Sequence, residues 1–199
     1  MKVYLEVGSK KVFACSLDWP GWCRSGKDEA LAIEALEAYE PRYAVVAKRA
    51  GIPLRVGALD VVERVRGNAT TDFGAPAMIA QADHERLTPK QAERLAALLD
   101  ASWMVFDDVV KSAPPTLRKG PRGGGRDTAR IVEHVDNAQA AYARKMGLRN
   151  GSRSEILDAV RSARDATPVK DNGWPPRYAV RRIAWHVIDH AWEIEDKSD

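Results

Sequence analysis

Hydrophobic and polar positions follow two different rhythms along this chain. Lys2-Val3-Tyr4-Leu5-Glu6-Val7 alternates, residues 11–17 form a second short run of β-type side chains, and Gly8-Ser9 lies between them. Period two marks a half-buried strand, and the glycine-serine step predicts a hairpin turn. Trp19-Pro20-Gly21-Trp22 reads as a turn flanked by aromatics. Residues 27–49 then change to helical spacing, with Ala30, Ile33, Leu36 and Ala44 near one stripe. Pro41 breaks or kinks that helix, and Gly51-Ile52-Pro53 stops it. Residues 54–56 and 61–65 read as two more short strands, and 68–76 as a polar loop. The order strand, strand, helix, strand predicts a small α+β layer.

From Thr88 onward the rhythm is helical. Thr88 is an N-cap with Pro89 at the first helical position. Ala92, Leu95, Leu98, Leu99, Trp103 and Phe106 recur at three- and four-residue spacing until Ala113-Pro114-Pro115 ends the run near Ser112. Residues 117–126 are a loop by composition. Asp127 is the expected N-cap of a helix over 128–146, which Gly147 closes at a C′ position. Ser152 or Ser154 opens a third helix to about residue 166, and a fourth covers 178–195. The predicted fold class is therefore an α+β N-terminal domain over 1–75, followed over 76–199 by an all-α four-helix bundle.

Composition adds mainly exclusions. With 45% hydrophobic and 30% charged residues the chain is ordinary for a globular protein. A net charge of +3 is far short of a nucleic-acid-binding tail or a polybasic membrane patch, which argues against nucleic acid as a partner. No apolar run approaches the roughly 18 residues of a membrane span. The start, with charged Lys2 and then alternation, is not that of a signal peptide. Cys15 and Cys23 are too few for a disulfide framework or a four-sulfur zinc site. They read as packing residues of a reduced, cytoplasmic protein.

The chemistry concentrates in the last helix. His186 and His190 stand four apart and so share one helix face, and His134 lies in another predicted helix. Two histidines at this spacing also occur as buried, capped core residues. His-x-x-x-His without glutamate beside the first histidine is not the zinc-protease pattern. If the two helices are neighbours, however, three imidazoles converge and leave coordination positions free, the catalytic rather than the structural arrangement. Asp189 and Glu193 are candidates to orient an imidazole from behind, and Glu133 and Asp136 stand similarly beside His134. Tyr142, two turns beyond His134, is a candidate proton donor, and Arg182, one turn before His186, a candidate anion clamp. Trp185 and Trp192, seven apart, share a face as core packing or as pocket walls. His84 reads as a surface residue.

The loop before the 128–146 helix carries Arg118, Lys119, Arg122 and Arg126 around Gly120 and Gly123-Gly124-Gly125. Arginines beside a helix N-terminus suit an anion, which makes Arg122 and Arg126 candidates for an anion-binding lip; the alternative is a solvated basic loop. It is no P-loop, because the Gly-Lys-Ser/Thr ending and the preceding strand are missing.

Two resemblances bear on these readings. Residues 13–23 with Gly26-Lys27 and the alanine-rich helix after them resemble the small domain of the HicB type, over about residues 1–50. That likeness implies an antitoxin-like role through protein contacts, although no DNA-binding segment is attached to it. Ile131-Val132-Glu133-His134-Val135 and Trp185-His186-Val187-Ile188-Asp189-His190-Ala191-Trp192-Glu193 resemble the DinB/YfiT-like superfamily of metal-dependent enzymes, over about residues 88–196. Its members are four-helix bundles with one metal-binding histidine in the second helix and two, four apart, in the last. The resemblance implies that His134, His186 and His190 bind a divalent metal. Members include transferases and isomerases that use a low-molecular-weight thiol such as mycothiol or bacillithiol. All-nitrogen ligation suits zinc, nickel, iron or copper. The expected activity is that of a metal-dependent transferase, isomerase or hydrolase on a small-molecule substrate. The alternative is a non-catalytic ligand- or metal-binding regulatory protein. A homodimer fits a four-helix bundle, but no residue pattern specifies one.

Overall fold

The computed structural model describes residues 1–120, 124–149, 151–168 and 170–198. The alternating runs form the strands expected of them. β1 (Lys2–Val7) and β2 (Val12–Ser16) pair antiparallel around the Gly8-Ser9 turn, in register from Val3↔Ser16 to Val7↔Val12. The helical stretch that follows is divided at its proline. Asp28 caps α1 (Glu29–Ala38), and Pro41 stands in the first turn of α2 (Glu40–Arg49), where a missing N–H is harmless. β4 (Asp60–Arg66) then returns parallel to β1, and with β3 (Cys23–Gly26) on the far side of β2 the mixed sheet has the order β3-β2-β1-β4.

Three expectations change in this half. Cys23–Gly26 forms β3, an edge strand on β2 that its short polar sequence conceals. Residues 54–56 form no strand; Leu54 and Val56 are half-buried against the core that contains Val3 and Leu5. The loop expected over 68–76 contains a short helix, α3 (Ala69–Phe73), capped by Asn68.

The cysteines also require correction. Cys15 and Cys23 face one another in the β2–β3 register, with Cα atoms 4.1 Å apart, and form a disulfide. They are not separate reduced packing residues, and their number no longer argues for a reducing compartment. Among the described residues no helix is long and apolar enough to cross a membrane.

The helical half follows the caps closely. α4 (Pro89–Ser112) starts with a capping box between Thr88 and Gln91. α5 (Thr128–Lys145) ends before Gly147, whose φ of 84° is the left-handed conformation expected at C′. Ser152, not Ser154, caps α6 (Arg153–Ser162), which is shorter than expected. α7 (Pro176–Lys197) is the last element. Asp127 occupies the N-cap position of α5 but makes no capping bond. Its carboxylate instead accepts from Leu117 N–H and Lys119 Nζ, closing the preceding loop.

α7 organises the whole. Fourteen of its 22 residues are buried, so it is enclosed on most sides rather than amphipathic. Val180, Ile183, Val187, Ala191 and Ile194 enter one core with Leu95, Leu99 and Phe106 of α4, Ile131 and Val135 of α5 and Ile156 and Val160 of α6. Ile188 and Trp192 enter a second core with Val3, Leu5, Val12 and Ala14 of the sheet and Leu36, Tyr43 and Val46 of the helices covering it. Gly21, at φ 93°, lets the turn between β2 and β3 lie against this helix, because a Cβ there would meet Ile188 Cδ1 at 2.7 Å and Ala184 at 3.1 Å. On the other sheet face Trp185 packs edge-on to Phe13, at 6.3 Å between centroids, beside the disulfide. Trp185 and Trp192 are thus both core residues, one for each face of the sheet.

Candidate metal centre

The helical period that fills these cores leaves one stripe of α7, Arg182, His186 and His190, turned toward α5. His134 comes across from α5, so the two helices are neighbours as three-imidazole convergence requires. The three ring centroids form a nearly equilateral triangle: 5.0 Å between His134 and His186, 4.9 Å between His134 and His190, and 4.7 Å between His186 and His190. One nitrogen from each ring lies within 4.8 Å of the others. Nε2 of His186 and Nε2 of His134 are 3.1 Å apart. Two nitrogens about 2.05 Å from one tetrahedral ion stand about 3.3 Å apart, so this pair is already at chelating distance.

Neighbouring groups orient and perturb these rings. Nδ1 of His190 lies 2.7 Å from Glu193 Oε2. A carboxylate accepts Nδ1–H and leaves the Nε2 lone pair free, the carboxylate–histidine arrangement that raises ligand basicity. Lys197 Nζ holds the other oxygen of Glu193 at 2.5 Å. The bond from His190 pulls the Glu193 carboxyl down to about 2, with Lys197 acting in the same direction against the effect of burial. Glu193 is therefore ionised whenever His190 needs its partner. Burial drives the His186 pKa down to about 2, aided by the positive potential of His190 and Arg182. Burial also lowers His134, with Arg126 the next contributor. Neutral imidazoles are the form a cation requires.

The other candidates separate. Tyr142 stands edge-on to the His186 ring at 5.6 Å between centroids, on a shelf with Trp174 at 5.0 Å. Arg182 lies over Trp185 at 4.7 Å and near Tyr142 at 5.5 Å, and its buried Nη1 has no hydrogen-bond partner. Arg126 is exposed and shares with Gly125, Arg130, Glu133, His134 and Asn137 an open cavity of about 450 Å³ at the His134 side of the cluster. Arg122 lies outside the described residues. Asp189 is not behind an imidazole: it pairs with Arg24 of β3 at 2.8 Å, so it ties α7 to the sheet. Glu133 pairs with Arg130, Asp136 is exposed, and His84 is exposed as expected. Lys197 was missed by sequence reasoning. Its i,i+4 spacing from Glu193 is the signal that identifies it.

Comparison with protein families, with curated proteins and with solved structures finds no match for the chain.

Proposed function

We propose that the protein is a metal-dependent enzyme in which His134, His186 and His190 hold one divalent cation and α4–α7 act as a bundle of the DinB/YfiT-like kind. The observation that carries this reading is the convergence of three imidazole nitrogens with no carboxylate among them and a Glu193–Lys197 relay behind one. A structural zinc site is closed by four protein ligands; three histidines leave a position for substrate. The ion would serve as a Lewis acid, lowering the pKa of a thiol or water nucleophile and polarising a substrate. Zinc, nickel and iron all suit the nitrogen donors.

The residues of the chain supply the remainder. Glu193 fixes the tautomer and direction of His190. Tyr142 brings a hydroxyl-bearing ring against His186. Arg126, at the mouth, and Arg182, below His186, offer positive charge to an anionic thiol cofactor or substrate. The open cavity beside His134 favours turnover of a small molecule over a sealed structural or sensing site. The reaction class best matched is transfer or isomerisation with a low-molecular-weight thiol, with hydrolysis as its competitor.

The test is to load the chelator-treated protein with zinc, nickel or ferrous ion. Consumption of bacillithiol or mycothiol by an alkyl halide is then assayed beside hydrolysis of p-nitrophenyl acetate. Metal-dependent thiol consumption that disappears in His186→Ala supports the transferase reading; ester hydrolysis with the same dependence selects the hydrolase. Metal binding with neither activity points instead to a regulatory metal-binding protein.

A further inference from the structure

A second cleft lies away from the histidines, where the amino ends of α4 and α7 meet the start of β1 and the turn after β2. Its main chamber is about 430 Å³ and is lined by Leu17, Asp18, Trp19, Arg55, Arg94 and Arg177, among others. A side chamber of about 210 Å³ shares Leu17, Asp18, Gln91, Leu95 and Arg177 with it and extends to Lys2 and Glu85. None of these residues belongs to the histidine cluster.

Two of the three arginines are held in place by backbone carbonyls. Arg94 lies over the Trp19 ring at 4.5 Å and donates from Nη1 to the carbonyl of Asp18 at 2.7 Å. Arg177 donates from Nε to the Glu85 carbonyl at 3.2 Å and from Nη2 to the Arg86 carbonyl at 3.0 Å. Backbone carbonyls fix a guanidinium but do not neutralise it. Each arginine has five N–H donors, so donors remain on both. Arg94 is half-buried, and burial lowers its pKa, a sign that its charge lacks full compensation. Arg181 and Arg24, by contrast, each have a carboxylate partner, Asp83 and Asp189. Among the carboxylates at this cleft, Asp83 is already taken by Arg181, while the Asp18 carboxylate accepts the Lys2 N–H at 2.8 Å. Asp18 and Glu85 offset part of the positive charge.

We infer that this cleft binds the oxyanion of a small organic molecule, a carboxylate or a phosphate, between Arg94 and Arg177. Planar guanidinium groups recognise both oxyanions through paired N–H···O bonds. The positive ends of two long helices add to the field. Leu17, Leu95 and Met1 give the ligand an apolar wall, so an organic anion fits better than a free inorganic ion. A chamber of this volume lies within the ordinary range for small-molecule sites. The inference does not rest on the metal.

The test is isothermal titration of the full chain with phenyl phosphate, benzoate and inorganic phosphate at constant ionic strength. Saturable binding of phenyl phosphate or benzoate, weakened at least ten-fold in Arg94→Gln and in Arg177→Gln and unchanged in His186→Ala, is the expected result. The stronger of the two organic probes identifies the headgroup. Should Arg94→Gln lose its native circular dichroism, Arg55→Gln, at an exposed position, must weaken binding instead. The proposal is overturned if none of the three anions binds saturably, if the arginine substitutions leave affinity unchanged, or if binding disappears in His186→Ala, which would place the anion at the histidines.

Discussion

Arg181 and His186, five residues apart on α7, belong to two polar clusters with opposite characters. Arg181, on the sheet side, is buried and fully engaged: its Nε and Nη2 bind Asp83, and its Nη1 donates to Tyr4 at 2.8 Å. His186, on the α5 side, is equally buried, yet its Nε2 faces only another imidazole. Burial holds the Tyr4 pKa up to about 12 and drives the His186 pKa down to about 2. The first cluster closes on itself and so joins sheet to helices. The second brings one nitrogen from each of three imidazoles together, with no carboxylate oxygen among them. A polar cluster that is complete contributes structure; one whose donor atoms converge without closing on each other, as these three imidazoles do, could hold a metal ion.

The comparison breaks most visibly at Asp83. Asp83→Ala leaves Arg181 buried and unpaired, which should destabilise the fold by about 3–5 kcal/mol in chemical denaturation. His186→Ala in metal-free protein should cost much less, since no charge is stranded. Equal losses would erase the distinction between the two clusters.

The metal should narrow that difference. At an ion concentration about 100 times Kd, binding adds about 2.7 kcal/mol. For a chain of this size that raises Tm by roughly 5–11 °C. Chelation should return the wild type to its metal-free Tm and leave His186→Ala unmoved. A next, smaller effect belongs to Glu193→Gln. Loss of the carboxylate behind His190 should weaken metal affinity about 10–100-fold with little change in metal-free stability.

The smallest effect is in alkali. The Tyr4 pKa is raised in the folded chain above its usual value near 10, so its stabilising contribution is complete below pH 10 and is lost as pH rises toward 12. Stability of the wild type should fall over that window more steeply than that of Tyr4→Phe, by at most about 1.4 kcal/mol per pH unit. Identical slopes in urea titrations at pH 9–12 would remove Tyr4 from the account.

Much of this architecture is legible locally. Thr88, Ser152 and Gly147 mark helix ends because capping is chemistry among near neighbours, and Pro41 divides α1 from α2 for the same reason. His186 and His190 share a face through helical geometry alone. What sequence hides is pairing between distant segments. The β3 strand is four residues of Cys-Arg-Ser-Gly character, whose only β signal is the partner beside it. The Cys15–Cys23 bond depends on a hairpin through Trp19-Pro20-Gly21-Trp22 that sets the two in register. Asp189 looks like an imidazole partner along the helix, but Arg24, 165 residues away, takes it. The place of Arg94 over Trp19 likewise comes from the packing of segments far apart in sequence.

The central claim is that the three histidines together hold one metal ion. Elemental analysis of protein purified without chelator and dialysed against zinc or nickel measures it directly. The expected result is one ion per chain in the wild type and less than a tenth of that in His134→Ala, His186→Ala and His190→Ala. No stoichiometric metal in the wild type, or full retention in all three variants, would contradict it.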